Sequence, residues 1–247
     1  MLASFLILVI SSDMLNPIIQ LKFDQKLDQK IAWDFYSSPE FGGCNFWKER
    51  ALAYHAKLLE IERAKNPKKF LNKYTSEFYS SHFDEMKRRS QKTSIYLNQS
   101  QDDFFKIADD IFNHHPWPQK EFTGIFSIFD FCPRFLDWGG FQIFLYDNHS
   151  MQLFTIFHEM LHFIFYDFAQ KTFPEKFKNL NTEKGEFWDL SEIFNAMIQG
   201  TDDFIELHGK IKNIGYPSHK KLIIKGESLW RKNQDLSQWI VDIMKII

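Results

Sequence analysis

The stretch from Gln152 to Phe168 reads QLFTIFHEMLHFIFYDF. It is apolar at nearly every position of a helical wheel, which predicts a helix buried on all sides rather than one with a single wet face. The run is shorter than the roughly 20 apolar residues a bilayer span needs. His158, Glu159 and His162 interrupt it, and polar side chains in such surroundings are costly unless something satisfies them. Residues four apart lie on one face of an α-helix, so the two imidazoles of H-E-x-x-H can hold one metal ion together. Zinc would lower the pKa of a water at its open position towards 7, and Glu159 would take the proton as general base. A random order of these residues would yield the pattern in roughly 2% of chains of this composition, so we read it as a metal site.

Around that helix the sequence predicts an α+β protein, mainly helical, with a small β-sheet packed on the HExxH helix. Gly124–Phe131 (GIFSIFDF) and Phe141–Tyr146 (FQIFLY) read as strands, separated by Pro133 and Gly139-Gly140. Helices are expected over Asn45–Lys65, capped by Asn45 and stopped by Asn66-Pro67, then over Thr75–Lys87, Gln101–Asn113 and Phe187–Gln199. The proline cluster His114-His115-Pro116-Trp117-Pro118 divides residues 1–118, a helical scaffold or lid, from residues 119–247, the metal-binding catalytic part.

With 247 residues, 44% of them hydrophobic, the chain can build its own core. Thirty Lys and Arg stand against 32 Asp and Glu, so no electrostatic case exists for nucleic acid as a partner. Cys44 and Cys132 form no C-x-x-C pair, and reduced thiols are the default. Residues 1–13 carry an apolar leader, MLASFLILVI followed by Ser11-Ser12-Asp13, with no Lys or Arg before it. We expect a cytoplasmic protein with no membrane span; a signal role for residues 1–13 would instead imply secretion, and Met14 could be the true start.

The motif resembles that of the zincin metallopeptidases, over roughly Gly124 to Gln199. The resemblance implies Zn2+ as cofactor, a peptide or protein substrate, and a strand before the helix that pairs with extended substrate, a place Phe141–Tyr146 could take. Phe165 and Phe168 stand where the metzincin pattern has its glycine-spaced ligand region, so that branch does not fit. A gluzincin-like site takes a glutamate from a later helix. Glu192 shares a face with Trp188, Asn195, Ala196 and Gln199 and is preferred to Glu186, which sits at the helix start where it can serve the dipole, and to Glu183. Some gluzincins carry an aspartate four residues after that glutamate, where this chain has Ala196, so Asn195 or Asp167 could orient a histidine instead.

The expected site is therefore His158, His162 and Glu192 on the metal with Glu159 as base. The rival reading is a non-catalytic zincin-like binding or sensor domain with a structural metal. Tyr216 and His219 are candidates for stabilising an oxyanion, against the simpler reading of an exposed loop. His114-His115 reads as a surface turn and His208 as solvent-facing, while Trp188, Trp230 and Trp239 read as packing residues.

Overall fold

The computed structural model describes residues 16–212 and 215–247; the leader at residues 1–13 lies outside them. The chain begins with β1 (Ile18–Phe23) and α1 (Gln25–Ser37), then a hairpin of β2 (Glu40–Phe41) and β3 (Cys44–Asn45). Gly42 and Gly43 take φ of +56° and +80° in its two-residue turn, a conformation glycine enters without steric cost. A π-helical turn at Trp47–Ala51, the short α2 (Leu52–Tyr54) and a 3-10 segment at Ala56–Arg63 follow, in place of the single helix expected over Asn45–Lys65. The cap does form: Asn45 Oδ1 accepts from the Lys48 amide at 2.9 Å.

Asn66-Pro67 starts a helix instead of ending one. Asn66 Oδ1 accepts from the Lys69 amide at 2.9 Å and Pro67 occupies the first turn, the position where its missing N–H costs nothing. The resulting α3 (Pro67–Ile111) runs straight through the segment between the two helices expected there. Its inward side chains include Thr93, whose hydroxyl donates to Gln152 Oε1 at 2.6 Å, and Leu97, 2% exposed.

The main sheet is built on β4 (Glu121–Ser127), with β5 (Arg134–Phe135) and β6 (Gly140–Phe144) after it, in the order β1-β4-β6-β5. β1 and β6 run parallel to β4, and β5 is antiparallel to β6. Gly124 makes the close packing of the three longer strands possible: a Cβ there would meet Leu21 at 2.6 Å and Ile143 at 2.9 Å. The division expected at Pro118 is crossed by this sheet, since β1 pairs with β4 along its whole length, and by a hydrophobic core that includes residues from both sides.

Beyond the sheet come α4 (His149–Thr172), α5 (Pro174–Phe177), α6 (Glu186–Ile198), α7 (Asp202–His208), α8 (Lys220–Asn233) and α9 (Leu236–Ile243). The protein is α+β and mainly helical, as the sequence predicts. α4 starts at Asn148, whose side chain accepts from the Met151 amide, and packs on β6, α3 and α6. α6 is buried at every position except Glu186 and the half-buried Asp189. Among the described residues no helix is long and apolar enough to cross a membrane.

Two expectations need correction here. The start of Phe141–Tyr146 offers no free edge to an extended substrate, because β6 lies between β4 and β5, which pairs with Gly140 and Phe141. The carbonyls of Phe144 and Leu145 at its end are taken by Gln152 Nε2 at 3.1 and 3.0 Å. His208 does not face solvent. It is 2% exposed, packed edge-on to Phe154, with Nδ1 2.7 Å from the Gly209 carbonyl oxygen.

Candidate metal centre

α4 and α6 lie against each other and bring three ligand-type side chains to one point. His158 and His162 project from the same face of α4, one turn apart, with their Nε2 atoms 3.1 Å from each other. Glu192, near the middle of α6, reaches both: Oε2 is 3.4 Å from His158 Nε2 and Oε1 is 3.3 Å from His162 Nε2. One donor atom from each residue lies within 4.8 Å of the other two, so this group could hold a metal ion. Two ring nitrogens and a carboxylate oxygen form a donor set that suits zinc, and three protein ligands leave room for a fourth position. Glu186, on the first turn of α6, is exposed and outside the group. Glu183, also exposed, reaches the site only indirectly, 3.9 Å from Arg134.

The surroundings hold each ligand in place. His158 Nδ1 lies 2.8 Å from Gln199 Oε1, two turns beyond Glu192 on α6, and Gln199 Nε2 donates to the Phe154 carbonyl at 2.9 Å. Gln199 thus fixes the ring so that Nε2 points at the centre, the role left open at Ala196. Asn195 acts on the backbone instead, donating to the His158 carbonyl at 2.9 Å. Asp167 is engaged elsewhere, with His115 at 2.7 Å and Lys171 at 2.8 Å, and orients no ligand. His115 is accordingly tied down, while His114 is exposed as a turn residue would be. The His162 ring stacks on Tyr166 with 12° between planes, and its Nδ1 is buried without a partner among the described residues.

Arg134, on β5, is the residue that sequence reasoning missed. Its side chain is 7% exposed, with Nη1 3.6 Å from Glu192 Oε1 and Nη2 donating to the Thr182 carbonyl at 2.7 Å and to Tyr166 OH at 3.1 Å. Nothing local in the sequence marks it, because it enters the site through the antiparallel pairing of a two-residue strand. Gln199 was legible in part: it shares the Glu192 face of the helix, although its partner could not be read.

Charge and burial set the protonation of these groups. Burial alone would raise the Glu192 carboxyl, but the pull of His162 and hydrogen bonds with both imidazoles hold it well below the usual carboxylate range. Burial, helped by the Arg134 charge, pushes the His162 ring down to about 3 and so keeps it neutral, the form a ligand requires. His158 goes the other way: burial lowers it, yet its contact with Glu192 carries it above the ordinary histidine value. Glu159 is pushed up to about 7 by burial, against the pull of His158 and Arg134. It is 6% exposed, and its Oε2 is buried with no hydrogen-bond partner among the described residues.

His158, Glu159, Glu192 and Arg134 open onto a cleft of roughly 440 Å³. The first part of the chain, expected to be scaffold or lid, supplies one wall through Phe35, Phe41, Phe46 and Arg50. Gly215, Tyr216 and Pro217 also line it. Tyr216 is half-buried, with its ring in contact with Trp188 and so close to Gly42 that a Cβ there would lie 2.5 Å from it. His219 is engaged by Asp189 at 2.7 Å and is not among the cleft-lining residues. Trp188, Trp230 and Trp239 are buried packing residues. A larger groove of about 640 Å³ between α3, α6, α7 and α8 is lined by none of His158, Glu159, His162 and Glu192 and is a separate feature. Compared with protein-family models, curated proteins and solved structures, the chain matches none.

Proposed function

We propose that this protein is a zinc-dependent hydrolase, in the first place a metallopeptidase. The observation that carries this reading is the convergence of His158, His162 and Glu192 donor atoms within 4.8 Å at the edge of a cleft that also exposes Glu159. The group comprises three protein ligands among the described residues, the number found at catalytic zinc, whereas structural zinc usually has four. When bound, the ion supplies Lewis acidity and a lowered pKa for water at its open position. The protein's own residues do the rest. Glu159 Oε2, without a partner among the described residues, is available to accept a proton and return it to the leaving group. Gln199 holds the His158 ring, and Arg134 braces the Glu192 carboxylate. Peptide as substrate draws on the resemblance of the H-E-x-x-H helix and the later glutamate to zincin peptidases.

Metal analysis with activity assays on three forms of the full chain tests the proposal. The parent is expected to carry about one zinc and to cleave a peptide library. His162→Ala should lose the metal, and Glu159→Gln should keep it without hydrolysis. A parent chain that takes up no zinc on reconstitution overturns the metal reading. Zinc uptake with hydrolysis of esters or non-peptide amides, and of no peptide, overturns the peptidase reading.

A further inference from the structure

Arg50 shows how the cleft treats a cation. Its guanidinium lies over the Phe46 ring, 5.1 Å from the centroid, and Nη1 donates to both oxygens of Asp130 at 3.1 and 3.0 Å. Phe46 belongs to an aromatic wall in which Phe35 stacks on Phe131 at 4.3 Å and lies 5.4 Å from Phe46. Beside this arrangement stands a second carboxylate, Asp147, half-buried on the same cleft. Asp130 has its arginine and Glu192 has Arg134, but Asp147 makes no ion pair or hydrogen bond among the described residues. Lys212, a further cation on the lining, is exposed and reaches no carboxylate within 4 Å among the described residues. Glu159, 6% exposed and with an unpartnered oxygen, lines the same cleft, so these groups adjoin the metal centre.

Burial and the neighbouring Asp130 charge, against the pull of Arg50, push the Asp147 carboxyl up to about 6, which leaves it mostly ionised at neutral pH. The nearby Arg50 is bonded to Asp130 and not to Asp147, and a half-buried carboxylate without a bonded cation is unfavourable, so an incoming ammonium or guanidinium would relieve it. Lys and Arg side chains also carry an apolar stem that packs along aromatic surface while the head stays polar. Resting on the peptidase reading above, we infer that the cleft selects a lysine or arginine side chain of its peptide substrate, stem along the Phe35, Phe46 and Phe131 wall and charged end at Asp147.

The test separates binding from hydrolysis. Zinc-loaded full chain carrying Glu159→Gln is titrated with acetylated tripeptide amides that differ only in lysine, arginine or norleucine. The basic peptides should bind about tenfold more tightly, the order expected of one charge-assisted hydrogen bond. Adding Asp147→Asn should bring that ratio close to one, and Asp147→Glu should restore part of it. A carboxylate that merely served the α4 dipole would alter stability and leave the ratio alone. Equal binding of all three peptides, no binding of any, or a ratio that survives Asp147→Asn overturns the inference. A norleucine peptide with a free amino terminus is a further arm. If it binds as tightly as the lysine peptide, the cation recognised is an α-amino group and the side-chain assignment is wrong. If the parent chain cleaves none of the peptides while the preference persists, the peptidase reading fails and the subsite stands; cleavage without preference has the opposite meaning.

Discussion

At the scale of single residues, the ligands are distinguished from their neighbours by what holds them. Gln199 Oε1 accepts from His158 Nδ1–H, which fixes the ring in the tautomer whose Nε2 is free to face Glu192 and His162. Replacing Gln199 with leucine is expected to weaken zinc binding by about 10- to 100-fold, the usual cost of losing such a partner, as read by competition with a chelator. An unchanged affinity would remove Gln199 from the site. Glu192→Ala should reduce zinc affinity far more than Glu186→Ala, because Glu186 is exposed on the first turn of α6; the reverse order would mean a different carboxylate binds the metal. The histidine pair at 158 and 162 with the adjacent Glu159 was legible because α-helical spacing alone puts them together. Glu192 was legible from its helical face. Arg134 and the Phe35 and Phe46 wall were not, since they arrive through pairings and contacts distant in sequence.

At the scale of elements, local signals were read correctly but not always in the right direction. Asn66-Pro67 punctuates the chain as expected, yet the cap it makes belongs to the helix that follows. Asn66→Ala should cost about 1 kcal/mol of stability in urea unfolding, whereas no change would mean that α3 does not depend on this cap. β1 shows the alternation Ile19, Leu21, Phe23, but its register is set by β4 about a hundred residues later, which periodicity cannot disclose. At Gly124 side chains of β1 and β6, Leu21 and Ile143, fill the space a Cβ would need. Gly124→Val should destabilise the fold by about 1–3 kcal/mol through overpacking, and thermal unfolding at the parent's midpoint would reveal it.

For the whole molecule, one buried carboxylate joins parts that are far apart in sequence. Asp28 on α1, 1% exposed, accepts from Tyr79 OH of α3 at 2.8 Å, from the Ile128 amide at 3.0 Å and from Gln142 Nε2 of β6 at 2.8 Å. Burial pushes it up to about 6, against the pull of those hydrogen bonds. The folded state therefore keeps the proton to higher pH than the unfolded chain, whose value lies near 3.8. The resulting stability is fully present below pH 4 and is lost as pH rises through about 6, by at most about 3 kcal/mol. A carboxamide in place of this carboxyl cannot titrate, and the amide of Gln142, whose Oε1 lacks a partner among the described residues, can turn to receive its N–H. Asp28→Asn should therefore gain on the parent between pH 4 and pH 7 in denaturant titrations. A stability difference that stays constant over that range would show that Asp28 ionises normally in the fold.

α6 is enclosed along almost its whole length, and it carries Glu192. A carboxylate so placed cannot swing aside with a loop, and its partners His158 and His162 are carried by the long helix α4, with His162 fully buried and His158 at the cleft edge held by Gln199. The ligand geometry therefore exists before any ion arrives, unlike that of small zinc modules whose chains fold only around the metal. Far-ultraviolet circular dichroism should accordingly be the same with and without zinc, and chelation should leave the helices in place. On the proposed reading, taking up metal would be a docking event rather than a folding event.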